Sequence, residues 1–284
     1  MKDPISNSSS QHSTPSNKLI RKLYVVTGKG GVGKTSLALS MALHLKNSGR
    51  KVFYNSFDHT PDHQLLKSLD IPYLDLDIVD SAKTYMGKKL KSQTIASWIM
   101  KTPFFHSLFN MIPGLGMMIL LGQIIELLED DPELTIVLDS PASGHALTMF
   151  ESSHNFRDMF KTGLIVDDID RMHRFIYGEG ILKTVIACLP TQMALTEGTE
   201  LLESLKELKI EDIQLVSNDN YHLTPGVSDS SEKDLPNFLI KKVELEKEVS
   251  AKLNLQDNLL LAHIPTIHKK EVIEALSPSM EGLL

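Results

Sequence analysis

Short apolar runs rich in β-branched residues alternate along the chain with stretches whose apolar positions recur at helical spacing. Residues 23–27 (LYVVT), 51–57 (KVFYNSF), 134–139 (LTIVLD), 184–190 (TVIACLP), 213–218 (IQLVSN) and 259–265 (LLLAHIP) read as strands. Residues 36–45, 146–160, 167–177, 192–202 and 237–253 read as helices. Strand and helix in repeated alternation predict an α/β fold: a doubly wound, mostly parallel sheet with helices on both faces and a helical elaboration. Glu244, Glu246, Lys247 and Glu248 give the last of these helices a mixed-charge, solvated face.

Two segments stand outside this rhythm. Residues 1–17 are rich in Ser, Asn, Pro and Gln with no apolar run, which predicts a disordered tail rather than a secretory leader. Residues 102–125 (TPFFHSLFNMIPGLGMMILLGQII) contain no charged residue. Pro113-Gly114 break this stretch, and His106, Ser107 and Asn110 are polar, so it is not expected to span a membrane. Two buried helices joined at residues 110–114 are the first reading. An apolar surface that meets a partner is the second, for which Met111, Met117 and Met118 are adaptable. The expected organisation is a tail at 1–17 and one domain at 18–284, its helical elaboration at about 64–130 and 146–180.

The residues after the first strand carry chemistry. Gly28-Lys-Gly-Gly-Val-Gly-Lys-Thr35 fits G-x-x-x-x-G-K-S/T, placed between a strand and a helix as a phosphate loop requires. Glycines let backbone N–H groups turn inward around a phosphate, and the helix N-terminus adds partial positive charge. Gly28, Lys29, Gly30, Gly31, Val32, Gly33, Lys34, Thr35 and Ser36 are therefore candidate nucleotide-binding residues. Lys34 can reach the β and γ phosphates, and the Thr35 hydroxyl can hold Mg²⁺.

Ligands of open α/β sheets sit at the carboxyl ends of strands, which draws in two acids. Asp58 follows the second strand and Asp139 ends the third, the latter in the position where a carboxylate accepts from Mg²⁺-bound water. His59 and His63 stand beside Asp58 and Asp62. Pro61 between them argues against a helical metal face, and a polar loop is the expectation.

These motifs resemble the ArsA/Get (TRC) family of P-loop ATPases, within the deviant Walker A class that includes ParA and MinD. The loop G-K-G-G-V-G-K-T has the early lysine of that class, and Asp139, Gly144, His145 and Leu147 match the family's D-x-x-x-x-G-H-x-L. The resemblance covers roughly residues 20–275. It implies that Lys29 reaches across a dimer interface to the partner's nucleotide; the competing reading is a solvated loop lysine. It implies that Asp58 orients the attacking water, through Mg²⁺ or directly. Gly144 and His145 would be switch residues, Asn218 would hydrogen-bond adenine, and the loop at Pro265 would close over the base. Departures are equally specific. Met117 and Thr191 stand where family members carry glutamates, although Glu197 is kept. The segment from His145 to Thr184 is short, so the helical subdomain is expected to be reduced.

Composition narrows the outputs. The 284 residues hold 42% hydrophobic and 23% charged residues, globular proportions. With 29 Lys+Arg against 36 Asp+Glu, the net charge of -7 gives no support for nucleic-acid binding. The single cysteine, Cys188, lies in a predicted strand and reads as a small buried residue. One thiol cannot supply the paired or clustered cysteines that related families use for zinc clamps, soft ions or iron–sulfur clusters. The expected protein is thus a cytoplasmic, Mg²⁺-dependent ATP-binding and ATP-hydrolysing switch, acting as a nucleotide-sandwich homodimer. Its partner by resemblance is an apolar helical or membrane-protein client. A slow or non-hydrolysing adaptor is the alternative, motivated by Met117 and Thr191. A MinD-like positioning ATPase ranks lower, because residues 274–284 carry no basic residue.

Overall fold

The structure is a computed structural model that describes residues 22–57, 59–103, 107, 111, 114–140, 143–159, 166–178, 180–228, 235–253 and 258–284. The expected tail at 1–17 and Asp58 lie outside the described residues.

Six parallel strands form one sheet in the order β2-β3-β1-β4-β5-β6. They are β1 (Leu23–Gly28), β2 (Lys51–Asn55), β3 (Leu134–Asp139), β4 (Leu182–Cys188), β5 (Ile213–Asn220) and β6 (Leu259–Ala262). Ten α-helices accompany them among the described residues, the last after β6: α1 (Lys34–Asn47), α2 (His63–Leu69), α3 (Ile78–Lys89), α4 (Gln93–Met100), α5 (Leu115–Asp130), α6 (Ser143–Met159), α7 (Val166–Ile176), α8 (Gln192–Glu207), α9 (Asn237–Ser250) and α10 (Lys269–Leu276).

Strand alternation sorts the core into two layers, because successive side chains point to opposite faces. Leu23 and Val25 of β1 join Ile136, Leu138 and Ile186 on one face, covered by α5, α6, α7 and α8. Tyr24 and Val26 join Val137 and Val185 on the other, covered by α1, α2, α10 and the C-terminal 3-10 turn. Central strands buried on both faces read as continuous apolar runs, and β1, β3 and β4 are buried at every position.

Strand ends differ from the sequence reading where pairing ends. β2 stops at Asn55, opposite Leu138, because this edge strand has only β3 as neighbour and Ser56 turns to accept the His59 amide. β4 starts earlier, at Leu182, since that residue is already in register with Leu23. The apolar segment resolves partly: Met118, Leu120, Leu121, Ile124, Ile125 and Leu128 of α5 are buried, which is the core reading for that half. Residues 104–106, 108–110 and 112–113 lie outside the described residues. No described helix is long and apolar enough to cross a membrane.

Cys188 ends β4 with 2% of its surface exposed, and burial pushes its thiol up to about 12. The thiolate is the reactive form, so a maleimide should leave the native protein unlabelled from neutral pH to mildly alkaline pH. Labelling should appear with the unfolding transition in urea. Stoichiometric labelling of the folded protein near neutral pH would show that the site opens locally.

Candidate active site

The phosphate loop is shaped by its glycines. β1 ends at Gly28 with φ 140, in register with Ala187 of β4, and a Cβ there would lie 2.2 Å from the Ala187 carbonyl oxygen. Only glycine permits that approach. Val32, 3% exposed, anchors the loop from below. Gly33, at φ 90, precedes α1 with no side-chain cap, so the first-turn N–H groups of the helix are left for another acceptor. Lys34 lies half-buried and its Nζ donates to the Lys29 carbonyl at 3.1 Å; Thr35 is exposed beside it. Gly30 and Gly31 are exposed, with Gly31 at φ 82. Asn218 Nδ2 donates to the Val32 carbonyl at 3.0 Å, which ties the end of β5 to the loop.

Asp139 closes β3 one strand away, paired with Val26 of β1. It is 1% exposed, which is costly for a carboxylate without compensation. Tyr54 Oη donates to its Oδ2 at 2.9 Å, and His59 Nε2 stands 3.4 Å from the same oxygen. Burial, then the adjacent carboxylate, drive the Tyr54 hydroxyl far above its ordinary range, so it stays a donor. The other oxygen, Oδ1, is buried with no hydrogen-bond partner among the described residues. A buried, unsatisfied carboxylate oxygen at the carboxyl edge of the sheet is a fitting acceptor for a cation or its water shell.

Lys29 does not stand free. It forms an ion pair with Glu197 of α8. The lysine side chain is 51% exposed, and an exposed pair is worth about 0–1 kcal/mol, so the contact is easily exchanged. Thr191, at one of the divergent positions, caps α8 by accepting from the Ala194 amide. Met117, at the other, packs partly buried against the core. Both departures have structural roles.

A cavity of about 250 Å³ opens beside the loop, lined among others by Gly33, Ser36, Leu189, Asn218, His263 and Ile264. His263 is fixed from two sides, with Nδ1 2.6 Å from Asp219 Oδ1 and its ring stacked on Tyr221 at 3.9 Å. Pro265 does not line this cavity; it borders a neighbouring depression with Thr266 and Ile267. His59 and His63 diverge, the first toward Asp139 and the second edge-on to the Tyr73 ring. Gly144 and His145 belong to the backbone of the first turn of α6, and their side chains lie outside the described part.

The structure thus brings the 28–36 loop, Asp139 and Asn218 to one edge of the sheet. Sequence reasoning missed Tyr54, the Lys29–Glu197 pair and the Asp219–His263–Tyr221 cluster. Tyr54 reads from sequence as an ordinary strand aromatic. Only the β2–β3 register, with Tyr54 opposite Val137, carries its hydroxyl to Asp139.

Comparison with known proteins gives the family of the chain. The ArsA_ATPase family model, described as anion-transporting ATPase, matches residues 21–176. The ATPase BagA of Mycobacterium tuberculosis is 25% identical over 232 residues, 72% of this chain and 67% of that protein. A putative ATPase of Mycobacterium bovis aligns with the same identity and coverage. The ATPase ASNA1 homolog of Plasmodium berghei is 28% identical over 164 residues, 54% of this chain and 42% of that protein. A family match over more than half of the chain, running through the phosphate loop, β3 and the start of α6, makes this chain an ATPase of the ArsA family.

Proposed function

We propose that the chain is a Mg²⁺-dependent nucleotide switch that hydrolyses ATP as a sandwich homodimer and acts on an apolar helical or membrane-protein client in the cytoplasm. The observation that carries the reading is the buried Oδ1 of Asp139, without a hydrogen-bond partner among the described residues, at the sheet edge that bears the phosphate loop. The backbone of residues 28–36 wraps the triphosphate, and Lys34 leaves the Lys29 carbonyl to pair with its β and γ oxygens. Thr35, Asp58 and Asp139 would hold Mg²⁺, which neutralises developing charge on the phosphates. Asp58 orients the attacking water and accepts its proton as a weak base. Asn218 reads the base, and the loop around Pro265 covers it. Lys29 exchanges Glu197 for the partner's nucleotide, and the segments after Asp58 and Asp139, including Gly144 and His145, respond to the γ-phosphate. Residues 18–284 act as one domain with a reduced helical part.

ATP turnover and nucleotide-dependent mass test this reading. Asp58→Asn should lower turnover at least about a hundredfold while ATP still binds. Lys29→Ala should remain monomeric with a non-hydrolysable ATP analogue that dimerises the wild type. Unchanged turnover in Asp58→Asn removes the proposed base. A monomeric wild type with every nucleotide removes the sandwich.

A further inference from the structure

Charge along the chain is uneven. Between Asp80 and Glu126 there are five lysines (83, 88, 89, 91 and 101) and no acidic residue, in a chain of net charge -7. Glu126 pairs with Lys88 and Asp168 with Lys89. Lys83, Lys91 and Lys101 are exposed and make no ion pair with a described residue. Lys91 and Lys101 flank the two ends of α4, the helix that carries the chain's one tryptophan. Trp98 is 70% exposed, and Ile95, one turn before it on α4, is 50% exposed. Lys83, Trp98 and Lys101 also line a single open cavity of about 630 Å³ between α3 and α4.

An exposed Trp–Ile pair is unfavourable in water, and Lys83 on α3 and Lys91 and Lys101 at the ends of α4 make no ion pair with a described residue. This face matches a boundary that is apolar below and anionic above. We propose that this face of α3 and α4 docks the protein onto an anionic lipid surface, with Trp98 and Ile95 entering the headgroup layer and Lys83, Lys91 and Lys101 meeting lipid phosphates. An indole suits that layer because its ring is apolar while its N–H still finds an acceptor. The aliphatic Ile95 gives a nucleic-acid base nothing to stack on, and the overall negative charge opposes a polyanion that wraps the molecule. A headgroup layer is a local anionic plane, which a local basic face can meet within a Debye length. The surface sits on helices of the elaboration, far in sequence from residues 274–284, which carry no basic residue. It requires neither the nucleotide reading nor the dimer, although two copies of the face in a dimer would strengthen binding by avidity.

Because Trp98 is the only tryptophan, its emission reports this face alone. With vesicles of equal parts phosphatidylglycerol and phosphatidylcholine, emission should shift to the blue, and lipids brominated in the acyl chain should quench it. Pure phosphatidylcholine vesicles should do neither, and high salt should reverse the shift. Lys83→Ala with Lys101→Ala should lower partitioning roughly twenty-fivefold, about fivefold per lysine. Trp98→Ala should abolish pelleting with vesicles and Trp98→Phe should restore part of it; circular dichroism checks that each variant folds. Unshifted emission and a protein left in the supernatant, with and without ATP, overturn the proposal. A shift produced by an acidic soluble peptide or a single-stranded oligonucleotide, but by no vesicle, overturns it as well.

Discussion

Asp139→Asn should lower ATP turnover roughly a thousandfold while leaving the thermal midpoint of the nucleotide-free protein unchanged or raised. The carboxylate is 1% exposed, and one of its two oxygens has no hydrogen-bond partner among the described residues. A buried charge compensated on one side only is a destabilising element of the free protein. The amide keeps the acceptor that Tyr54 uses and removes the charge. It also removes the anionic oxygen proposed to hold Mg²⁺, and the loss of one well-placed electrostatic group commonly costs about 10²–10³ in rate. Turnover assays beside thermal unfolding separate the two effects. A midpoint that falls together with turnover would make Asp139 a residue of the fold. A variant that turns over at the wild-type rate would remove it from the mechanism. Tyr54→Phe complements the test, since it removes the hydroxyl donor of the buried Oδ2 and leaves that oxygen the longer His59 contact.

Gly28→Ala should destabilise the protein by about 3–5 kcal/mol, a large part of the 5–15 kcal/mol that ordinary domains possess. Two costs combine. A φ of 140 is strained for any side chain, and the new Cβ would stand 2.2 Å from the carbonyl oxygen of Ala187. That atom is backbone in the β1–β4 ladder, so no rotamer change relieves the clash and the strands must separate. Gly30→Ala is the matched control. It has no atom within 4 Å of its would-be Cβ and should change stability by less than about 1 kcal/mol. Urea unfolding of both variants checks the contrast. Equal denaturation midpoints would mean that the loop base is looser than its geometry. Weaker binding of a fluorescent ATP analogue by Gly28→Ala alone would tie the close approach to the proposed nucleotide role.

Much of the fold was legible because its signals are local. Hydrophobic period separates strands from helices, and each strand–helix alternation leaves few topologies for a parallel sheet. The loop from Gly28 to Thr35 was legible for the same reason: loop, helix start and lysine are contiguous, so their spacing alone specifies their geometry. Asp139 was found because it ends an apolar run. Helix α8 is legible over residues 192–202, and the structure extends it to Glu207. The strand limits were less accurate, since a strand stops where its neighbour stops, and a neighbour more than 80 residues away leaves no mark in the local pattern.

The sequence by itself determined the fold class and the phosphate loop, and it marked Asp139 as an acid at a strand end. Those depend on short-range spacing and on backbone freedoms intrinsic to glycine. Tertiary structure alone decided which groups meet across the chain. It brought Tyr54 and His59 to Asp139, paired Lys29 with Glu197, tied Asn218 to the loop, and left Trp98 exposed among lysines instead of packed in the core. Each of these contacts depends on strand order, on register or on which helix face finds a neighbour, and those are set by packing of the whole chain rather than by any one segment.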